Sequence, residues 1–248
     1  MIIDGKAIAA QRAEELRTKI QETNLKPKLA IVLVGNDPAS VTYVNLKVKK
    51  ARELGIETEV RQDLNTDADG IIVQLPGPED LVEKVPPEKD VDGLVEGSPF
   101  LPATVKGILT IIDAIASLQH DDDTYVIVGQ GRLIGKPLAD YLETSGKKVI
   151  RCDHQTPDLK SETLKGDILV VATGEEKLIM ADMVKPGAIV IDCGSPKAEV
   201  DFEKIKDVAS AITPVPGGVG PLTVISLLEN TVEAAYNDAI THTQRINP

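Results

Sequence analysis

The chain predicts an α/β protein of two domains, the second carrying a doubly wound parallel sheet, and three observations carry that expectation. Apolar β-like runs alternate with helix-period segments almost from end to end. Two Phe, four Tyr and no Trp serve 248 residues, so the core must be built from Ile, Val, Leu and Ala. Such aliphatic strands suit parallel sheets buried on both faces. The length allows one large or two modest domains. The alternation runs through two cycles, which places the boundary near residue 113.

Residues 6–23 have helical spacing, with Ile8, Ala9, Leu16 and Ile20 on one side. Residues 28–34 (KLAIVLV) read as an apolar strand. Asp37-Pro38 then opens a helix that runs to Leu54, because Asp caps well and Pro is tolerated in a first turn. Gly55 stops it. Ile71-Ile72-Val73 is the second buried strand and leads into Gln74-Leu75-Pro76. A helix near 104–118 precedes the second cycle. Residues 120–123 break the chain, and Asp121-Asp122-Asp123 reads as a solvated connector. Strands are expected at 124–128, 148–152, 168–171, 188–191 and 209–212, and a long amphipathic helix at 221–241.

The formal net charge of −12 argues against nucleic acid as a partner, since phosphate backbones need clustered Lys and Arg. No run approaches the roughly 18 apolar residues of a membrane span. The first residues, Met1-Ile2-Ile3-Asp4-Gly5-Lys6, lack a cationic region followed by a long apolar stretch, so a cytoplasmic location is expected. Cys152 and Cys193 each end a β-like run and read as buried thiols rather than a disulfide. No metal is expected: the two cysteines and three histidines have no zinc spacing. The run 65–70 imitates a calcium loop but has Pro76 where a bidentate Glu is required. Asp90-Val91-Asp92-Gly93 fails the same way, at Leu101.

Strand 124–128 runs into Gly129-Gln130-Gly131-Arg132-Leu133-Ile134-Gly135 and then a helix. Glycines at 129 and 131 allow a tight turn and close approach of a pyrophosphate to backbone N–H groups. The spacing, G-x-G-x-x-x-G, is one residue longer than the common fingerprint. Alone the loop is a turn as readily as a site; strand, loop, helix and second strand in order point to a Rossmann-type dinucleotide domain. The second strand ends Arg151-Cys152-Asp153-His154, where an adenosine ribose would lie. Asp153 there favours NAD, because a carboxylate accepts from a ribose 2′-hydroxyl and repels a 2′-phosphate. Arg151, Arg132 or His154 would instead favour NADP.

The segment Ser40-Val41-Thr42-Tyr43-Val44-Asn45-Leu46-Lys47 places Tyr43 and Lys47 on one helix face, four residues apart. Taken alone, the pair reads as a surface tyrosine beside a solvated lysine. In order along the chain stand Asp37-Pro38 through Lys47, Val73-Gln74-Leu75-Pro76, Lys89-Asp90-Val91-Asp92-Gly93, and Ile212-Thr213-Pro214-Val215-Pro216-Gly217-Gly218-Val219-Gly220-Pro221. Together they closely resemble the methylenetetrahydrofolate dehydrogenase/methenyltetrahydrofolate cyclohydrolase family, from Asp4-Gly5 to the last helix.

That resemblance implies a folate/catalytic domain at 1–113, joined by the C-terminal helix 222–248 packing back on it, and a dinucleotide domain at 114–221. In the family the substrate, a tetrahydrofolate one-carbon derivative, lies in a cleft between domains. Lys47 is then the catalytic lysine, Tyr43 packs on the folate rings, Gln74 bonds near the lysine and Asp92 holds the pterin edge. Ser40, Pro216, Gly217 and Gly218 join the substrate pocket. Gly129, Gln130, Gly131, Arg132, Leu133, Ile134, Asp153, His154, Thr173, Gly174 and Thr213 line the cofactor. The resemblance also implies a homodimer and NADP. Here, however, Gly129-Gln130-Gly131 stands where the family has Gly-Arg-Ser, and Asp153-His154-Gln155-Thr156 where it has His-Ser-Arg/Lys-Thr. Both changes remove groups used on the 2′-phosphate, so NAD and NADP both stay open. The family's Pro-Cys-Thr-Pro is Pro102-Ala103-Thr104-Val105. The chain is also shorter than its relatives between Arg61 and Gly70, around 78–85, between Gly93 and Pro99, and after Gly194.

The implied chemistry is oxidation of 5,10-methylenetetrahydrofolate to the methenyl form, then hydrolysis to 10-formyltetrahydrofolate. Hydride loss chiefly needs donor and acceptor aligned. None of His120, His154 or His242 falls in a family motif. Hydrolysis needs water activated, which a lysine does if burial lowers its pKa. The competing expectations are one activity alone, a dehydrogenase of a small hydroxy or keto acid, and a non-catalytic folate-binding protein.

Overall fold

In the computed structural model the described residues are 1–246, with side chains described through residue 240. The last two positions of the 222–248 segment and the side chain of His242 lie outside them. The chain forms two compact units. One comprises Ala10–Ala103 and the chain from Val224 onward; the other comprises Met1–Ala9 and Thr104–Thr223.

The first unit is built on three parallel strands, β1 (Lys28–Val32), β2 (Glu57–Arg61) and β3 (Gly70–Val73), in the order β2-β1-β3. Around them lie α1 (Gly5–Thr23), α2 (Pro38–Glu53) and the short α3 (Glu79–Val82). β3 is buried along its whole length, and β1 at all but Lys28. Their side chains join Ala68, Val82 and Val85 in one core. Fully burying such a side chain contributes about 1.5–3 kcal/mol relative to leaving it in water. β1 stops at Val32 rather than Val34, which is exposed. β2 is an edge strand that the apolar pattern does not announce: ETEVR carries three charged residues, and Val60 faces solvent.

α2 starts where sequence places it. Asp37 Oδ2 accepts from the Ser40 amide at 2.8 Å and satisfies one open donor of the first turn. Gly55, at φ +84°, ends the helix in a conformation that a side chain disfavours.

The second unit carries five parallel strands: β4 (Thr124–Val128), β5 (Lys148–Cys152), β6 (Ile168–Val171), β7 (Ile189–Asp192) and β8 (Ala211–Ile212). Before β4 comes α4 (Ala103–Ala114), and α5 (Gly135–Thr144), α6 (Leu159–Thr163) and α7 (Phe202–Ile205) connect the strands. The order β5-β4-β6-β7-β8 is doubly wound and reverses direction between β4 and β6. Ligands of such sheets bind beyond the strands' carboxyl ends at that reversal. β8 is shorter than the expected 209–212, because the Ala209 amide instead donates to Ile205 O at 2.8 Å and closes the turn after α7. Ile2 bridges Ile212 and extends this edge of the sheet.

The connector before β4 departs from expectation at one residue. Asp121 and Asp122 are exposed, but Asp123 is buried and accepts from the His120 amide at 2.9 Å. The last helix, α8 (Val219–Ile246), contributes to both units. Within the first unit its Asn230 Nδ2 donates to Val91 O at 3.0 Å and Leu101 O at 3.2 Å, holding the loop that carries Asp92. Gly70 lets β3 come close to this loop, since a Cβ there would lie 2.7 Å from Val91 Cγ1.

Candidate catalytic and dinucleotide sites

In the first unit, α2 aims Lys47 at the carboxyl end of β3. Lys47 Nζ donates to Gln74 Oε1 at 3.0 Å. Gln74 is buried, and its Nε2 donates to Leu75 O at 2.7 Å, which turns the amide oxygen toward the lysine. Burial lowers the Lys47 pKa, and the negative charge of Asp92 works against that shift. Asp92 is pushed up by burial and held down by Lys47. The two charges thus each offset part of the other's burial shift.

Tyr43 lies one helical turn before Lys47 with 43% of its surface exposed. Ser40 is buried, and its Oγ donates to Asp37 Oδ2 at 2.9 Å, so its hydroxyl is spent on the helix cap. The loop bearing Asp92 rests on a residue of the same segment to which the sequence assigned no role. Asp90 is buried and accepts from the Gly93 amide at 3.2 Å and the Val95 amide at 2.7 Å. An acid followed by a glycine three residues on was the one local sign of this turn.

In the second unit, the loop after β4 is a backbone construction. Gly129 sits at φ +95°, and a Cβ there would overlap the carbonyl of Ala172, at the end of β6. A Cβ on Gly135 would overlap the carbonyl oxygen of Gly129, so α5 meets the strand only because Gly135 has none. A Cβ on Gly131 would meet nothing within 4 Å: the loop is open on that side. No side chain caps the start of α5. An open glycine loop and an uncapped helix N-terminus at the sheet reversal fit a dinucleotide pyrophosphate.

The remaining cofactor candidates fall on three turns. Arg132 and Leu133 are exposed and Ile134 half-buried at the start of α5. Gln130 folds back, its Nε2 donating to Ile127 O at 3.1 Å and Gly129 O at 3.2 Å. Asp153, His154 and Gln155 are exposed on the turn after β5. Thr173 and exposed Gly174 follow β6, and buried Thr213 follows β8.

Two acids organise the Thr173 and Thr213 turns, and sequence reading missed both. Glu199 is buried, and its Oε2 accepts from the Thr173 amide at 2.5 Å and Oγ1 at 2.7 Å. Asp192, at the end of β7, accepts from the amides of Gly194, Glu199 and Val200 at 2.8 to 3.2 Å. The Asp192 amide donates to Thr213 Oγ1 at 2.8 Å. Glu199 lies in the region after Gly194 where the chain is short, so no motif marked it. Beyond Thr213, Pro216 is exposed while Gly217 and Gly218 are buried. A Cβ on Gly5 would overlap Gly218 O, which accounts for the glycine of Asp4-Gly5.

Of the two cysteines, both free thiols, Cys152 is buried and Cys193 half-buried. Among the described residues, no cluster of His, Cys, Asp or Glu is arranged to hold a metal ion. None of their helices is long and apolar enough to cross a membrane.

Comparison with known proteins draws these halves together. Residues 3–92 match the tetrahydrofolate dehydrogenase/cyclohydrolase catalytic domain, and residues 102–239 match the NAD(P)-binding domain of the same family. The bifunctional protein FolD of Halothermothrix orenii is 41% identical, over 94% of this chain and 97% of its own. The crystal structure of the bifunctional FolD methylenetetrahydrofolate dehydrogenase/cyclohydrolase of Campylobacter jejuni superposes with a TM-score of 0.88 at 35% identity, covering 96% of this chain and 99% of that one. The Trypanosoma brucei dehydrogenase-cyclohydrolase, complexed with NADP and an inhibitor, gives a TM-score of 0.87 at 27% identity, over 96% and 98%. The chain belongs to the tetrahydrofolate dehydrogenase/cyclohydrolase family.

Proposed function

We propose that the chain oxidises 5,10-methylenetetrahydrofolate to 5,10-methenyltetrahydrofolate and hydrolyses that product to 10-formyltetrahydrofolate. The observation that carries this reading is Lys47: a half-buried amine whose pKa is lowered by desolvation, 3.0 Å from an amide oxygen that is itself fixed. Family membership supplies the substrate class. Functionally, residues 1–113 with 222–248 take the folate chemistry, and residues 114–221 take the dinucleotide.

For oxidation, the bound nicotinamide supplies the hydride acceptor. The protein's part in that step is alignment: Tyr43 stacks on the folate rings, Asp92 holds the pterin edge, and Pro216, Gly217 and Gly218 border the pocket. For hydrolysis, neutral Lys47 takes a proton from the water that adds to the methenyl carbon. It returns that proton to the ring nitrogen as the carbon–nitrogen bond breaks, while the added hydroxyl loses its own proton to solvent and becomes the carbonyl. This leaves the formyl group on the other nitrogen and releases one proton per turnover. Gln74 holds the amine in place through both transfers. Gly129, Gly131 and the start of α5 receive the pyrophosphate, while the Thr173-Gly174 and Thr213 turns flank it. We further infer that the chain works in the cytoplasm as a homodimer joined through its nucleotide-binding half, as the resemblance implies.

The test mixes purified protein with 5,10-methylenetetrahydrofolate and either nicotinamide dinucleotide, and follows methenyl formation and cofactor reduction together. Methenyl substrate is then supplied alone. Turnover in both assays is expected. Failure of both, with folate still bound, would replace this reading with a non-catalytic folate-binding protein.

A further inference from the structure

We propose that the turn after β5 selects NAD over NADP: Asp153 receives the adenosine ribose through its 2′-hydroxyl, while Asp140 and Glu143 withdraw Arg151 from any 2′-phosphate. The inference rests on the dinucleotide assignment above and adds to it the choice of cofactor.

The register places the turn against the glycine loop. Val128 pairs with Cys152, and the Gly129 amide donates to Cys152 O at 2.8 Å. Asp153 therefore begins its turn directly beside the loop that would receive the pyrophosphate. Its backbone N–H donates to Thr156 Oγ1 at 2.9 Å, and its Oδ1 accepts from the Gln155 amide at 2.8 Å. The turn thus fixes an exposed carboxylate at the position where a ribose is read.

Arg151 is the cation on this strand with the reach to counter it, and its guanidinium is already engaged. Nε donates to Glu143 Oε1 at 2.9 Å and Nη2 to Glu143 Oε2 at 2.7 Å, a two-pronged pair. Nη2 also donates to Asp140 Oδ1 at 2.6 Å, and Nη1 reaches Gln130 Oε1 at 3.5 Å. Both carboxylates lie on α5, three residues apart. Lys136 Nζ donates to Asp140 Oδ2 at 2.8 Å, so Arg151 and Lys136 balance Asp140 and Glu143. Asp153 adds a further, exposed negative charge beside this balanced cluster. A 2′-phosphate, itself a dianion near neutrality, would meet repulsion and would have to break a bidentate ion pair to recruit Arg151. A 2′-hydroxyl meets an acceptor. Arg132 is exposed on the glycine loop and Lys165 acts on the neighbouring Cys152; their effects enter the same measurement.

The experiment titrates NAD and NADP separately into the whole chain by calorimetry, without folate, so that binding rather than turnover is read. The wild type is expected to bind NAD about tenfold or more tightly than NADP. Asp153→Ser, on an exposed turn, is expected to weaken NAD and strengthen NADP. The double variant Asp140→Asn, Glu143→Gln frees Arg151 and is expected to strengthen NADP alone. Arg151→Gln is expected to leave NADP affinity nearly unchanged. Equal or tighter wild-type binding of NADP overturns the proposal, as does a selective loss of NADP affinity in Arg151→Gln. Binding of neither dinucleotide overturns it together with the dinucleotide assignment. If NAD selectivity holds but no folate turns over, the proposed reaction fails and the selectivity stands.

Discussion

Lys47 of α2 meets Gln74 at the end of β3 within the field of Asp92 from the loop beyond it, whereas the 129–135 loop is shaped by its glycine backbone. In the first region the chemistry lies in what a side chain carries: a desolvated amine, a fixed amide, a carboxyl opposing them. In the second it lies in what side chains leave out, since Gly129 and Gly135 each stand where a Cβ would strike a carbonyl. The two regions therefore fail differently. A substitution at Lys47 is expected to remove hydrolysis and spare the fold; one at Gly135 is expected to disturb the fold and weaken cofactor binding as a result.

The largest expected effect is at Lys47. Lys47→Met should cost hydrolysis of the methenyl substrate about 10²- to 10⁴-fold, the usual worth of a positioned acid/base, with thermal stability nearly unchanged. Oxidation, which asks only for alignment, should fall much less. A variant that hydrolyses normally would remove Lys47 from the mechanism. Gly135→Ala breaks the comparison from the other side. Overpacking against Gly129 O should destabilise the protein by about 1–3 kcal/mol and weaken both dinucleotides together, read by thermal melting and calorimetry. An unaltered melting temperature with normal binding would show that the loop tolerates a side chain after all.

The smallest effect sharpens the description of the first region. The charge of Asp92 raises the Lys47 pKa against the lowering by burial. In Asp92→Asn that opposing influence is gone, so the Lys47 pKa falls further and neutral amine is present at lower pH. The rising limb of kcat for hydrolysis against pH should therefore move to lower pH, even as loss of the proposed pterin contact raises KM. Movement to higher pH would contradict the electrostatic account.

The same contrast explains what the sequence made legible. Tyr43 and Lys47 could be placed together because a helix repeats every 3.6 residues, and Asp37-Pro38 announced where that helix begins. The parallel strands of the second unit were legible from unbroken apolar runs such as TYVIV and ILVV. Glu199 was not, because its partner Thr173 is 26 residues away and only the sheet brings them together. Nor was the engagement of Arg151 by Asp140 and Glu143: sequence left Arg151 as a candidate phosphate ligand, and only the packing of α5 against β5 shows what holds it. Ser40 shows the limit within a motif, since its neighbours suggest a pocket while its hydroxyl completes the cap of its own helix.

The charged composition that hid β2 from the apolar pattern has a consequence for the protein in a crowded solution. As the edge of a three-stranded sheet, β2 presents backbone donors and acceptors that another extended chain would pair with. Glu57 stands exposed on it, and Glu59 is drawn into ion pairs with Lys28 and Arg61, each at 3.5 Å. Any strand adding to that edge would have to desolvate these groups and accommodate their charges. The irregular sequence of β2 is thus a guard against sheet-to-sheet aggregation, and replacing Glu57 and Glu59 with β-branched apolar residues would improve the strand pattern while making the protein stickier.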